Sequence, residues 1–346
     1  MNRIILIGNG FDLAHGLKTS YLDFIDYYWE KKKDLYDKHI FYYTHLFNSG
    51  KGIPKYQDEE IVIDEISNDQ TSENLHFQNL FLKQIDEKKH LHNWVDIEEE
   101  YYLSLKECVD DKMDIEKLNS DFSVIKKALE EYLSEIQGTA PLKNYNVFLP
   151  IDTKIYSVAK QEDFQRKLEV FEENVESILF LSFNYTTTEK RYPIERNYLE
   201  KIFHIHIHIH GELNNPDNPI IFGYGDEIDD SYRIIEKKND NRFLDNIKSI
   251  KYLETDNYRK LMNFINTNAY QIFIMGHSCG ISDRTLLNTL FEHENCLSIK
   301  VFFHKKEDGT DNYSDIVRNI SRNFNDKKIF REKVVNKKYS EPLLLL

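Results

Sequence analysis

The run Arg3-Ile-Ile-Leu-Ile7, followed at once by Gly8-Asn9-Gly10, limits the fold of this chain more than any other stretch. A short apolar, β-branched run closed by glycine reads as a strand buried on both faces, the kind found inside parallel sheets. The polar, amphipathic segment Ser20–Lys33 reads as the helix after it. A glycine turn between strand and helix lets backbone approach a ligand closely. It also aims N–H groups and the positive end of a helix dipole at a phosphate. The full dinucleotide fingerprint is absent, because Leu13 stands where a third glycine belongs, three residues after Gly10. The same residues also suit a tight strand–helix turn that holds no ligand.

The rest of the chain says what such a strand can join. With 346 residues and 40% hydrophobic content, one large domain or a core with a second lobe can be built. A net charge of -14 argues against a broad nucleic-acid or anionic-membrane surface, which would need clustered Lys and Arg, but leaves room for a small basic pocket. Three widely spaced cysteines, Cys108, Cys279 and Cys296, suit a reduced, cytoplasmic protein without a disulfide framework or zinc ribbon. The N-terminal run is too short for a signal segment, and nothing approaches a transmembrane span. The closing Leu343–Leu346 reads as a packed or frayed tail.

Between residues 34 and 176 the patterning is mostly helical. Helical spacing marks Leu75–Lys89, Val95–Val109, Ile115–Ile136 and Gln161–Glu176, while Ile61-Val-Ile63 reads as a loop or a small edge strand. Strand signals return at Ser177–Phe183, Lys201–His210, Pro219–Phe222, Gln271–Met275 and Leu297–Phe303. Helices are expected at Tyr252–Asn266, Asp283–His293 and Tyr313–Asn323. The expected fold is therefore α/β: a Rossmann-like, mainly parallel sheet formed by 1–33 and 177–325, a large all-helical insertion at 34–176, and a tail at 326–346. Ligands in such sheets bind beyond the carboxyl ends of the strands. Four of those ends carry polar or glycine residues: Gly8-Asn9-Gly10, Asn184, His210-Gly211 and Gly276-His277-Ser278.

These ends carry a resemblance. Gly8-Asn-Gly-Phe-Asp-Leu-Ala-His-Gly-Leu17, Phe183-Asn184-Tyr185, Ile209-His210-Gly211, Ile220–Asp226 and Gly276-His-Ser with Asp283 resemble the bacteriophage abortive-infection AbiH family. Their order and spacing are also similar, more distantly, to the sirtuin-like NAD-binding fold. The resemblance implies an anti-phage defence protein that cleaves the nicotinamide–ribose bond of NAD, with NAD as substrate and no metal expected. It implies NAD or a related nucleotide as partner, a phage-derived trigger, and room for a homo-oligomer. The insertion would cover the cleft until that trigger arrives. Thr186 stands where the sirtuin-like pattern has Asp, and no paired Cys-x-x-Cys is present, so protein deacylation is not implied.

Each candidate residue has a second reading. His210 would act as the base that activates water or a ribose hydroxyl, since imidazole titrates near working pH, or it simply caps its strand. Asn184 would hold a ribose hydroxyl and orient water, or form an Asx-turn. Asp12 accepts from ribose or caps the helix after it. Gly8, Asn9, Gly10, Phe11 and Gly16 would cradle the cofactor, with Gly276, His277, Ser278 and Asp283 at its adenosine end. Asp283 equally reads as an N-cap. Gly276-His-Ser-Cys-Gly280 also fits a serine-hydrolase elbow. His204, His206, His208 and His210 alternate with isoleucine, so period two sets all four on one strand face, where two could share zinc or the row could be a polar face. Glu98, in Trp94-Val-Asp96-Ile-Glu98, is either an acid–base contributor or part of an acidic first helical turn. The alternatives to NAD cleavage are a nucleotide-binding sensor or partner-binding switch without catalysis, and a metal-dependent phosphoesterase or nuclease.

Overall fold

The computed structural model describes residues 1–31, 56–57, 61–63, 75–77, 79–87, 94–139, 175–191 and 203–343. The chain divides into two compact units, one spanning 1–19, 133–237 and 246–346, the other 20–132 and 238–245.

The first unit is built on six strands: β1 Asn2–Ile7, β2 Ser177–Ser182, β3 Phe203–His208, β4 Tyr270–Met275, β5 Cys296–Phe303 and β6 Glu341–Pro342. They lie in the order β3-β2-β1-β4-β5-β6, and every neighbouring pair is parallel. The fold is α/β and Rossmann-like. From β1 the chain steps outward through β2 to β3, then returns to the other side of β1 and steps outward again. That reversal makes the carboxyl ends of β1 and β4 the topological switch point, beyond which ligands bind in sheets of this kind.

The unbroken apolar run of β1 is explained by its central position, since both of its faces are covered. Ile4 and Leu6 join Leu179, Leu181, Ile272 and Ile274 on one face, packed by the helices Asn257–Thr267, Arg284–Glu292 and Tyr313–Arg322. Ile5 and Ile7 join Ile178, Phe180 and Phe11 on the other. Truncating one of these fully buried isoleucines to alanine should cost about 2–5 kcal/mol.

Several expectations change. Pro219–Phe222 is not a strand. Ile220, Ile221 and Phe222 are buried, but Pro219 has no N–H for a ladder, and the segment packs across Gly211, where a Cβ would meet the Pro219 carbonyl oxygen at 2.2 Å. Within the span expected to be a tail, the helix Lys327–Lys333 and β6 complete the sheet, and Leu343 is buried. Helix 115–136 has the expected bounds, whereas Leu75–Phe77 is a strand and its helix begins at Leu80. The expected helix Gln161–Glu176 lies almost wholly outside the described residues.

The second unit is not all-helical. It carries a three-stranded antiparallel sheet of Tyr56–Gln57, Ile61–Ile63 and Leu75–Phe77, which gives the β-branched Ile-Val-Ile triplet its place. Helices Leu80–Glu87 and Trp94–Val109 follow. Asn79 and Asp121 satisfy the first turn of the former, accepting from the N–H groups of Leu82 at 2.6 Å and Leu80 at 2.7 Å. Phe81, Tyr101 and Phe122 stack into its core. Among the described residues no helix is long and apolar enough to cross a membrane.

Candidate functional site

At the end of β1 the chain turns at Gly8 into the short helix Asn9–Ala14. The turn is bound to the end of β4. Gly8 donates to the Met275 carbonyl at 3.2 Å and Gly10 to that of Gly276 at 2.8 Å, while Phe11 N–H returns to Gly8 at 2.8 Å. These amides are engaged within the protein rather than pointing at a ligand. The approach demands glycine: a Cβ on Gly8 would lie 2.5 Å from the Cα of His277. One on Gly276, whose φ is +78°, would lie 2.0 Å from the Phe11 nitrogen. Phe11 itself is core, packed with Ile5 and Ile7. Asn9 is half-buried, and Gly16, with φ +80°, closes the turn after the helix.

Asp12 is 1% exposed and caps nothing; its carboxylate accepts a hydrogen bond from the Thr186 hydroxyl. Burial pushes its carboxyl up to about 6, against the opposing pull of the Thr186 and Thr188 hydroxyls. Asn184, at the end of β2, forms no Asx-turn. Its side-chain amide donates to the Gly8 carbonyl at 3.1 Å and so ties β2 to the glycine turn. Behind it, His208 has Nδ1 3.1 Å from the Asn184 carbonyl and Nε2 2.9 Å from Oε1 of Glu189. Burial favours the neutral Glu189 carboxyl, but His206 and His208 outweigh it and hold the pKa down at about 2. His206 comes no nearer than 3.6 Å, beyond hydrogen-bond reach, so His208 makes the bond.

The histidine row breaks after three members. The strand ends at His208 and the chain turns at 209–210, so His210 leaves the face of His204, His206 and His208. It packs instead against Phe183 and Tyr252, in the cluster that holds Ile207 and Ile209. His206 stacks on Phe180. Among the described residues no group of three or more His, Cys, Asp and Glu side chains is disposed to hold a metal ion.

His210 belongs to a buried polar cluster beyond the ends of β3 and β4. Its Nε2 faces the Tyr252 hydroxyl at 3.0 Å and Oδ1 of Asp283 at 3.2 Å. The carboxylate beside Nε2 favours the tautomer with its proton there, which leaves the lone pair on Nδ1. The Lys248 ammonium donates to the same Asp283 oxygen at 2.8 Å. Burial first, and the Lys248 charge second, pull the His210 pKa down to about 4. Burial works against the Asp283 carboxylate, but Lys248 and His210 together hold it well below the usual range. His277 accepts the Cys279 N–H on Nδ1 at 2.9 Å, which leaves its proton on Nε2, 3.5 Å from Oδ2 of Asp283. Asp283 thus receives three side chains and makes no capping bond to the helix it precedes.

Contacts link the two groups: Thr186 to Asp12, Asn184 to Gly8, Gly8 to His277, and His277 through Asp283 to His210. Ser278 stands apart. It is exposed, and its carbonyl accepts from Asn319. The strained backbone of the elbow falls on Cys279, at φ +56°, whose buried thiol is pushed up by desolvation. The serine-hydrolase geometry therefore fails at the residue that would be the nucleophile. Glu98 is buried in the other unit.

Lys248, Tyr252, Thr188 and Glu189 went unread in the sequence. His210 and Asp283 were each legible as candidates, one at a strand end and one before a helix, but nothing in the sequence paired them. Residues 4–305 match the family described as Bacteriophage abortive infection AbiH. The chain belongs to that family. Membership makes it an abortive-infection, anti-phage defence protein. No curated protein and no solved structure matches the chain.

Proposed function

We propose that this AbiH protein hydrolyses NAD, or a closely related nucleotide, at the nicotinamide–ribose bond. The observation that carries the reading is the His210–Asp283 contact at 3.2 Å beyond the carboxyl ends of the sheet. A neutral imidazole whose Nε2–H is fixed by a carboxylate has a directed lone pair on Nδ1, the arrangement of a general base. In the reaction, Nδ1 takes a proton from water as its oxygen bonds to the anomeric carbon, and nicotinamide leaves with the electron pair of the glycosidic bond. Asn184 holds the ribose and Asp12 accepts from a ribose hydroxyl. The rest of the nucleotide would lie against the outer surface of the Gly8–Gly10 turn and Gly276–Ser278, which pack backbone on backbone. No residue in this scheme needs a metal. A phage-derived trigger and a second copy of the chain are the partners the reading allows, and the cytoplasm, where NAD is abundant, is the compartment it requires.

The test is nicotinamide release from NAD, followed by chromatography, for the wild type and the His210→Ala variant with a chelator present. Release that depends on His210 and survives chelation supports the reading; unchanged release from a folded His210→Ala variant ends it.

One observation favours a second reading, a nucleotide sensor without turnover. The Gly8, Gly10 and Phe11 amides are already bonded within the protein, and Thr186 is committed to Asp12. That reading expects NAD to raise the melting temperature with no product formed.

A further inference from the structure

The buried lysine of the cluster is the least expected of its groups. Lys248 is 1% exposed, lies in the short helix Lys248–Lys251, and bonds to Asp283 and not to solvent. Its backbone is held by N–H donation to the Tyr224 carbonyl, and its Cβ lies against Gly225. A buried ammonium survives only when paired. The partner here is the oxygen that His210 also faces: Oδ1 of Asp283 stands 2.8 Å from Lys248 Nζ and 3.2 Å from His210 Nε2. One carboxylate oxygen is shared between an ammonium and a titratable ring.

We propose that Lys248 is a positioning residue for His210: by neutralising Asp283 through their shared oxygen it keeps the imidazole uncharged, with its lone pair on Nδ1. The inference rests on the reading of His210 as a base, but it concerns the charge of the ring and can be measured without turnover. The groups around the ring are Asp283, Lys248, the Tyr252 phenol, the His277 imidazole and, beyond Asp283, the Cys279 thiol. His277 accepts the Cys279 N–H on Nδ1. Lys248 and Asp283 are opposite charges joined at one oxygen, so the carboxylate's pull on the ring is offset. Without Lys248 the carboxylate would face the imidazole unopposed and hold a proton on it.

The experiment is a titration of the histidine ring nitrogens by NMR, His210 being assigned by its loss in His210→Ala. In the wild type His210 should be neutral at pH 7, with its proton on Nε2. In Lys248→Gln, which keeps a polar side chain there but carries no charge, the His210 midpoint should rise by about one to three units. An unmoved midpoint in the folded variant would overturn the proposal. If Lys248→Gln does not fold, Lys248→Met, which fills the same buried space without charge, replaces it: a midpoint raised by a similar amount sustains the proposal and an unmoved one overturns it. Should the protein also release nicotinamide, the acid limb of the Lys248→Gln rate profile should move up with the NMR midpoint. Absence of release would count against NAD hydrolysis and leave the NMR result standing.

Discussion

Gly8 and His277 approach so closely that neither strand end can be altered alone: a Cβ on Gly8 would lie 2.5 Å from the His277 Cα and 2.8 Å from its Cβ. The obstacle is backbone and the root of a side chain, so no rotamer change relieves it. Gly8→Ala must separate β1 from β4 at their carboxyl ends and disturb the Asn184 bond to the Gly8 carbonyl. A stability loss of about 1–3 kcal/mol is expected, in the range of overpacking elsewhere. Urea unfolding of the two proteins measures it, and equal midpoints would show that the turn relaxes more freely than this contact allows.

Asp12 offers a test in the opposite direction. Folding raises its carboxyl from 3.8 to about 6, so the folded chain keeps this proton to a higher pH than the unfolded chain does. Above that window the buried charge costs about 3 kcal/mol. Asp12→Asn keeps an acceptor for Thr186 and removes the charge. The variant should be the more stable protein, by a margin that grows from about pH 4 to pH 6 and is level above. Under the proposed function it should also bind nucleotide less well, the usual exchange of activity for stability at a strained site. A stability difference that does not change with pH would show that Asp12 is not the titrating group.

The two residues just discussed also mark what the sequence could reveal. Gly8 was legible because a glycine that ends an apolar run has few other reasons to be there. The main strands were legible as such runs, though not their order in the sheet, and helix 115–136 was legible from its long 3.6-residue period. Asp283 was misleading because an aspartate before a helix has the pattern of an N-cap, while only the fold brings Lys248 within 2.8 Å of it. Lys248 itself sits in a charged stretch, Lys248-Ser-Ile-Lys251, where nothing separates the buried lysine from its exposed neighbours. His210 looked like the last of four alternating histidines; the left-handed turn at Gly211 that accompanies its departure from the row is a backbone property. Pro219–Phe222 had the composition of a strand but no ladder to join, which composition does not report.

Glu189 and His208 form a buried pair that the family motifs do not include. Breaking one member leaves the other without its partner, a loss of about 3–5 kcal/mol in buried pairs. The Glu189 pKa of about 2 sets the window. Its contribution is complete above the ordinary carboxylate range, near 4.5, and is lost as pH falls toward 2. Glu189→Gln should therefore lower stability by about 3 kcal/mol at pH 7, with the gap narrowing below pH 4.5. Because His208 also contacts the Asn184 carbonyl, the variant should loosen the end of β2, seen as faster amide exchange there. Unchanged stability at pH 7 would mean that the pair adds nothing beyond its own desolvation.

The pH dependence of turnover bears most directly on His210. In the folded chain its pKa is lowered to about 4, by burial and then by Lys248. Below the ordinary value of 6.5 the unfolded chain takes up a proton that the folded chain refuses, so this residue adds stability as pH rises from about 4 to 6.5. The same shift sets the chemistry. A base with an ordinary imidazole pKa would lose about tenfold in rate per unit below pH 6.5. His210 is already neutral at pH 5, so nicotinamide release should stay level from about pH 5 to 7 and fall only as pH approaches 4. Initial rates of kcat/KM across that range decide the matter. An acid limb near 6.5 that vanishes in Lys248→Gln would contradict both the lowered pKa and its cause, whereas a level profile to pH 5 fits an imidazole kept neutral by its neighbours.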